Sequence, residues 1–345
     1  MARKHITKKE RQRRKRFAMA IFLTCIAAAM IGGSLHVIDL GAMRMDEMRG
    51  KAGYNIAEMH DHIRAAGEDI SIQAKHEADA ATSAYTEGEV VSLLNAETWQ
   101  ELDSMVAIPA GSFEMGTNRV RSNKEDGPAH QVNVPAFWID KYPVTQAQYA
   151  KFVVAETYRA PLNWGDGLIP SGLQEHPVTL ISWYNARDYC AWAGKRLPQE
   201  AEWEKAARGT DARRWPWGNK MDVSRLNTYY KLGGTTAVRA YPNGASAYGV
   251  MDMAGNVSEW MFDLFTPYSD VIDKTFDFSP ELDQFTDQGS ENIERLTNRV
   301  MRGGSWKSDP FSTESYHRNY SLPNMASDFY GFRCVSSTAP VGKNK

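Results

Sequence analysis

Cysteine is scarce in this 345-residue chain, at three residues, and net charge is almost absent: 40 Lys and Arg stand against 42 Asp and Glu, leaving −2 at neutral pH. Low-complexity composition is lacking too. A 42 % hydrophobic share, 24 % charged residues and ten Trp exclude a mostly disordered chain and supply a packed core. The near-zero net charge conceals a division. Residues 1–16 carry nine Lys and Arg against one Glu, and with Asp39 residues 1–43 sum to +7, so residues 44–345 sum to −9. An acidic body argues against nucleic acid as the main partner, because neutralising phosphates needs clustered Lys and Arg on the folded part.

Charge is missing altogether from Phe17 to Ile38, 22 residues without Asp, Glu, Lys or Arg. That is about the 20 residues a helix needs to cross a hydrocarbon core. With the basic tip 1–16 ahead of it, residues 17–38 are expected to form a transmembrane helix with the N-terminus in the cytoplasm and everything after Asp39 on the far side. The alternative is a cleavable signal peptide, whose apolar region is usually about 7 to 15 residues, with Ala27 to Ala29 as the cleavage site. Arg13-Arg14, a twin-arginine pair inside a basic cluster, is a weak signal, and the basic tip is explained by orientation and anionic headgroups.

Proline is absent from residues 44–100, where Ile56, Met59, Ile63 and Ala66, and more loosely Val91, Leu94 and Trp99, follow helical spacing. A helical stalk over 44–100 is expected, and no heptad runs long enough to require a coiled coil. His60, His62 and His76 occupy polar positions there and read as solvated. From Met105 the texture changes to Gly, Pro and Trp, which implies a loop-rich domain with an aromatic core, residues 105–336, followed by a tail at 337–345. Three helices stand out in it. They are Thr145 to Val154, begun by a capping Thr; Ser182 to Ala193, begun by Ser and ended before Gly194; and Pro198 to Arg208, with Glu200, Glu202 and Glu204 near its positive end.

The series MVAIPAGSFEMG (105–116), DKYPVTQAQYAKFV (140–153), HPVTLISWYNARDYCAWAGKRLPQEAEWEKAAR (176–208), WPWGN (215–219), YGVMDMAGNVSEW (248–260), RGGSW (302–306) and YGFRC (330–334) resembles the formylglycine-generating enzyme, or sulfatase-modifying factor, family. The resemblance covers about 230 residues in the family's order. It implies an α+β, C-type-lectin-like domain with little regular secondary structure. It also implies oxidation of a sulfatase cysteine to formylglycine, with copper held by two cysteines shortly after the GGS(Y/W) motif. Aligned on Arg302 to Trp306, those two positions are Ser308 and Thr313 here, and residues 301–333 contain no cysteine. Hydroxyls are hard ligands and do not replace thiolates on copper(I), so no copper is expected.

Other family features carry over in part. Cys190 and Cys334 match positions disulfide-bonded in relatives, the alternative being a metal pair, while Cys25 lies in the apolar span. The GN-x-x-EW motif implies calcium at Gly255, Asn256, Val257 and Glu259, or local pairing of Asn256 and Glu259 instead. A second family calcium site begins at Asn227 and Thr228, but no acidic residue follows before Asp252, so its loss is expected. By analogy Trp260, Ser305, His317 and Arg318 lie near the cleft with Tyr316, Glu314 and Asp309; a Ser-His-acid group can be drawn from them without any supporting spacing. His130 and His176 read as structural. Between Asp263 and Glu294 nine acidic residues, Lys274 and the aromatics Phe265, Tyr268, Phe276, Phe278 and Phe285 read as an insertion, either a solvated loop or a docking surface for a basic partner.

Together these readings predict a single-pass protein of a bacterial inner membrane whose periplasmic domain has the family fold without its copper chemistry. It would act as a binding, scaffolding or accessory subunit for protein partners at the membrane. The alternative is a periplasmic maturation factor with other chemistry.

Overall fold

The computed structural model describes residues 83–268 and 298–340. The basic tip, the apolar span, the first part of the stalk with its three histidines, residues 269–297 and the last five residues lie outside these. Among the described residues no helix is long and apolar enough to cross a membrane.

Capping chemistry sets the helices. Thr145 accepts the Gln148 amide and starts α3 (Gln146–Ala155); Ser182 accepts the Asn185 amide and starts α4 (Trp183–Trp192), and in both the third residue's side chain reaches back to the cap. Helix α5 (Glu200–Arg208) ends at Gly209, whose φ of +70° is left-handed. Two shorter helices precede the expected start of the body at Met105: α1 (Glu87–Ser92), capped by Thr86, and α2 (Ala96–Leu102), capped by Asn95. They pack on the body, α1 through Val90 against the cluster that holds α3 and α4, and α2 through Leu102 beside Tyr142. Packing therefore begins before the composition changes. An amphipathic helix reads alike on a stalk and on a domain surface.

Strand β1 (Met105–Ile108) pairs with β4 (Phe137–Asp140), which also pairs with β9 (Val335–Ser336). Strands β2 (Gly111–Met115) and β3 (His130–Val134) form a hairpin. A four-stranded sheet runs in the order β7 (Arg318–Ser321), β6 (Arg299–Arg302), β5 (Ser258–Leu264), β8 (Tyr330–Gly331), with β8 parallel to β5. On the outer edge of β7 the Arg318 amide donates to Asp126 Oδ1 at 2.8 Å and the Tyr320 amide to Asn319 Oδ1 at 2.8 Å.

Two apolar clusters fill the spaces between. One joins α3 and α4 through aromatic rings, with Tyr149 stacked on Tyr189 at 5.6 Å and Tyr189 edge-on to Phe332 at 5.3 Å, and the Cys190–Cys334 disulfide lies in it. The other packs Trp203, Ala206 and Ala207 of α5 against Phe113, Val132, Phe137 and Val300. The result is an α+β body in which long connections, rather than continuous sheets, carry much of the interior.

Candidate functional site

The Arg302 to Trp306 motif leaves β6 and turns back on α5. Arg302 is fully buried. Its guanidinium pairs with Glu204 and donates to the carbonyls of Ser315 (2.9 Å), Tyr316 (2.8 Å) and His317 (2.9 Å), holding the segment after Thr313 against the helix. Gly304 has φ +65°, and a Cβ there would lie 2.6 Å from Ser312 O, 3.0 Å from Thr313 Cγ2 and 3.2 Å from Ser308 Oγ. Glycine is required at that turn, where Ser308 and Thr313 both approach the backbone closely.

Both hydroxyls are engaged in the turn itself. Ser308 Oγ accepts the Ser305 amide at 2.9 Å, and Thr313 Oγ1 donates to Pro310 O at 2.7 Å. Asp309 caps the intervening turn by accepting the Phe311 and Ser312 amides. Tyr229 and Tyr230, each with φ +56°, donate their amides to Ser308 O (2.9 Å) and Trp306 O (2.7 Å), and Thr228 Oγ1 also donates to Ser308 O. Two consecutive non-glycine residues in the left-handed region are strained, by about 1 to 3 kcal/mol each, and sequence patterns carried no sign of them. In the segments that form this turn and bond to it, Tyr229 is half-exposed and Phe311 exposed. The turn's donor set of two hydroxyls does not fit copper(I).

The residues drawn together by analogy do not form a Ser-His-acid group. Ser305 Oγ has Ser308 Oγ 3.4 Å away, while His317 Nδ1 faces Asp126 Oδ2 at 3.3 Å, so no serine–histidine hydrogen bond forms. Burial alone would raise the Asp126 carboxyl, but His317, the Arg318 amide and Arg302 hold it below its ordinary value. Arg318 forms a bidentate pair with Glu200 (2.7 and 2.9 Å), and its guanidinium lies 4.7 Å from the Phe265 ring. Trp260 is in the core, its indole N–H directed at Ile181 O. Glu314 pairs with Arg214, and Tyr316 lies under the Arg208 guanidinium. Lys307 stands beside the cleft between the Trp306 and Phe329 rings and pairs with Asp328 at 2.8 Å.

The calcium motif is buried and internally paired. A Cβ on Gly255 (φ +79°) would lie 2.3 Å from Asn227 O, which fixes glycine there. Asn256 donates to Asp252 Oδ2 (2.9 Å) and Thr236 O and accepts from the Thr236 amide. Val257 is core. Both oxygens of Glu259 are held at 2.7 Å by Arg333, and Trp203 Nε1 donates to one of them at 2.9 Å. Burial pushes the neighbouring Asp252 carboxyl up to about 7. With its carboxylate neutralised by a guanidinium, the set does not fit the cage of hard oxygen ligands that calcium requires. Asn227 and Thr228, where the second calcium site would start, bond within the same loops, Asn227 Nδ2 to Gly234 O at 2.8 Å.

His130 Nδ1 bonds Pro128 O at 2.9 Å and its ring meets Tyr268 edge-on. His176 bonds Thr235 Oγ1 at 3.0 Å, and burial lowers its pKa. Each has a structural partner. Among the described residues no group of three His, Cys, Asp or Glu side chains is placed to hold a metal.

A loop-rich α+β body with the RGGSW turn packed on α5 is the architecture of a formylglycine-generating-enzyme-like domain. Residues 91–338 match the sulfatase-modifying factor enzyme 1-like domain, and the chain belongs to that family. It is 31 % identical over 318 residues to the inactive C-alpha-formylglycine-generating enzyme 2 of Bos taurus, an alignment covering 74 % of this chain and 96 % of that one. It is also 31 % identical over 303 residues to the serine/threonine-protein kinase pkn1 of Chlamydia pneumoniae, covering 81 % of this chain but 45 % of the kinase, so it spans less than half of that relative's length. Among solved structures, PvdO from Pseudomonas aeruginosa superposes with a TM-score of 0.55 at 26 % identity, covering 67 % of this chain and 93 % of that one.

Proposed function

We propose that this chain is a family member without copper chemistry that serves as a binding or accessory subunit. The observation that carries the reading is the pair of hydroxyls, Ser308 and Thr313, turned inward to bond their own loop where thiolates would face a substrate. The Bos taurus relative, named inactive, supports it. The uncharged run 17–38 after a basic tip supports anchoring in a bacterial inner membrane with the body in the periplasm. Its partners are proteins at that membrane, and the acidic body argues against nucleic acid as the main partner.

Anaerobic Cu(I) titration of the purified full chain, with a thiol-containing peptide oxidation assay beside it, tests the reading. The expected result is no thiolate-to-copper absorption band and no aldehyde product. Stoichiometric tight copper with peptide oxidation would overturn it. Purification in mild detergent is expected to recover a stoichiometric protein companion, and recovery of a lone chain with turnover of a small substrate would favour the maturation-factor alternative.

A further inference from the structure

A concavity lies between the loop over residues 117–128 and the end of β5. Its volume is about 530 Å³, within the range of about 300 to 1,000 Å³ typical of small-molecule sites. Phe265, Pro267 and Pro128 supply an apolar side, and Arg119, Lys124 and Glu125 line the polar side. No acidic residue occurs from Thr117 to Lys124, and among the described residues neither Arg119 nor Lys124 has an ion-pair or hydrogen-bond partner for its side-chain charge, whereas the Arg318 guanidinium at the cavity is already matched by Glu200. The loop is held in shape from below: Thr117 donates its amide to Asp126 O, and Asp126 accepts the Asn123 and Arg318 amides. Two uncompensated cations over one carboxylate, set beside apolar side chains on a braced loop, attract a negative head joined to an apolar body.

We infer that this cavity binds a small amphiphilic anion, its carboxylate or phosphate head on Arg119 and Lys124 and its apolar part against Phe265 and Pro267. Glu125 opposes the same head and sets a ceiling on affinity. The probe is 4-fluorophenyl phosphate, followed by fluorine NMR line width with the full chain in phosphatidylcholine nanodiscs. Saturable broadening is expected, displaced by unlabelled phenyl phosphate and much weaker for the uncharged 4-fluorobenzyl alcohol. Arg119→Glu with Lys124→Glu should weaken binding about tenfold or more, and Glu125→Gln should strengthen it. Absent broadening, or unchanged affinity in the double variant at an unchanged thermal midpoint, would overturn the site. Nanodiscs containing phosphatidylglycerol separate the sources of the anion: competition with the probe identifies a lipid headgroup, and undiminished probe binding identifies a soluble anion.

Discussion

At residue scale the hydroxyls of Ser308 and Thr313 stand where the family resemblance implies two cysteines. Both side chains approach Gly304, with Ser308 Oγ and Thr313 Cγ2 3.2 and 3.0 Å from where its Cβ would lie, so cysteines there would present two neighbouring thiols. Ser308→Cys with Thr313→Cys is therefore expected to bind one equivalent of Cu(I) where the parent chain binds none, read from the thiolate absorption band under anaerobic conditions. No gain of copper in a folded double variant would show that the surrounding loop has closed the site. Glu259 and Arg333 pose the opposite case. Both are fully buried. Removing one partner leaves an uncompensated charge, so Glu259→Gln should lose about 3 to 5 kcal/mol in urea unfolding. Since Arg333 already neutralises that carboxylate, added calcium or a chelator should leave the parent chain's midpoint unmoved; a rise with calcium would return Glu259 to the ligand role.

At the scale of elements, α4 and β9 are joined by the Cys190–Cys334 disulfide, which closes a separation of 144 residues. In the chain-entropy account, Cys190→Ala with Cys334→Ala costs up to about 5 kcal/mol, measured by denaturant midpoint under oxidising conditions. Helix α5 carries a pH dependence. Asp263, at the end of β5, accepts the Glu200 amide at 2.7 Å, and its carboxyl is pushed up to about 7, first by burial and then by the Glu200 charge. A raised folded pKa means that the neutral form's stabilisation is full below the ordinary carboxyl value of about 4 and is lost as pH rises through about 7. Asp263→Asn should therefore flatten the fall in stability between about pH 4 and about pH 8, and an unchanged slope in midpoint against pH would assign that fall to other groups.

The same helix shows what sequence reasoning reaches. Its start was legible to within two residues from Pro198, as α3 and α4 were from Thr145 and Ser182, because caps are local chemistry. The acidic residues near its start were read as partners of the helix dipole. Instead Glu200, Glu202 and Glu204 are all buried: Glu202 meets Arg196 just ahead of the helix, while Glu200 and Glu204 meet Arg318 and Arg302 from distant segments. Long-range ion pairs leave no periodic trace. For the same reason Ser305 and His317, close in sequence, separate in space, and the cavity over the 117–128 loop had no sequence signal beyond an unbroken run without acidic residues.

At the scale of the whole molecule, family membership rested on long ordered motifs and was legible throughout, while the division of charge bears on topology. A reporter fused at the N-terminus and another after the body, combined with protease protection of spheroplasts, should place residue 1 inside and the domain outside. Protease cleavage of the body only after the membrane is opened would reverse that orientation.

The outer edge of β7 is sealed from within: the amides of Arg318 and Tyr320 are taken by Asp126 and by the neighbouring Asn319 side chain. An edge so occupied offers no donors to a foreign strand. A strand approaching β7 from outside finds both outward amides already engaged, so contact along this edge runs through side chains rather than through a shared ladder.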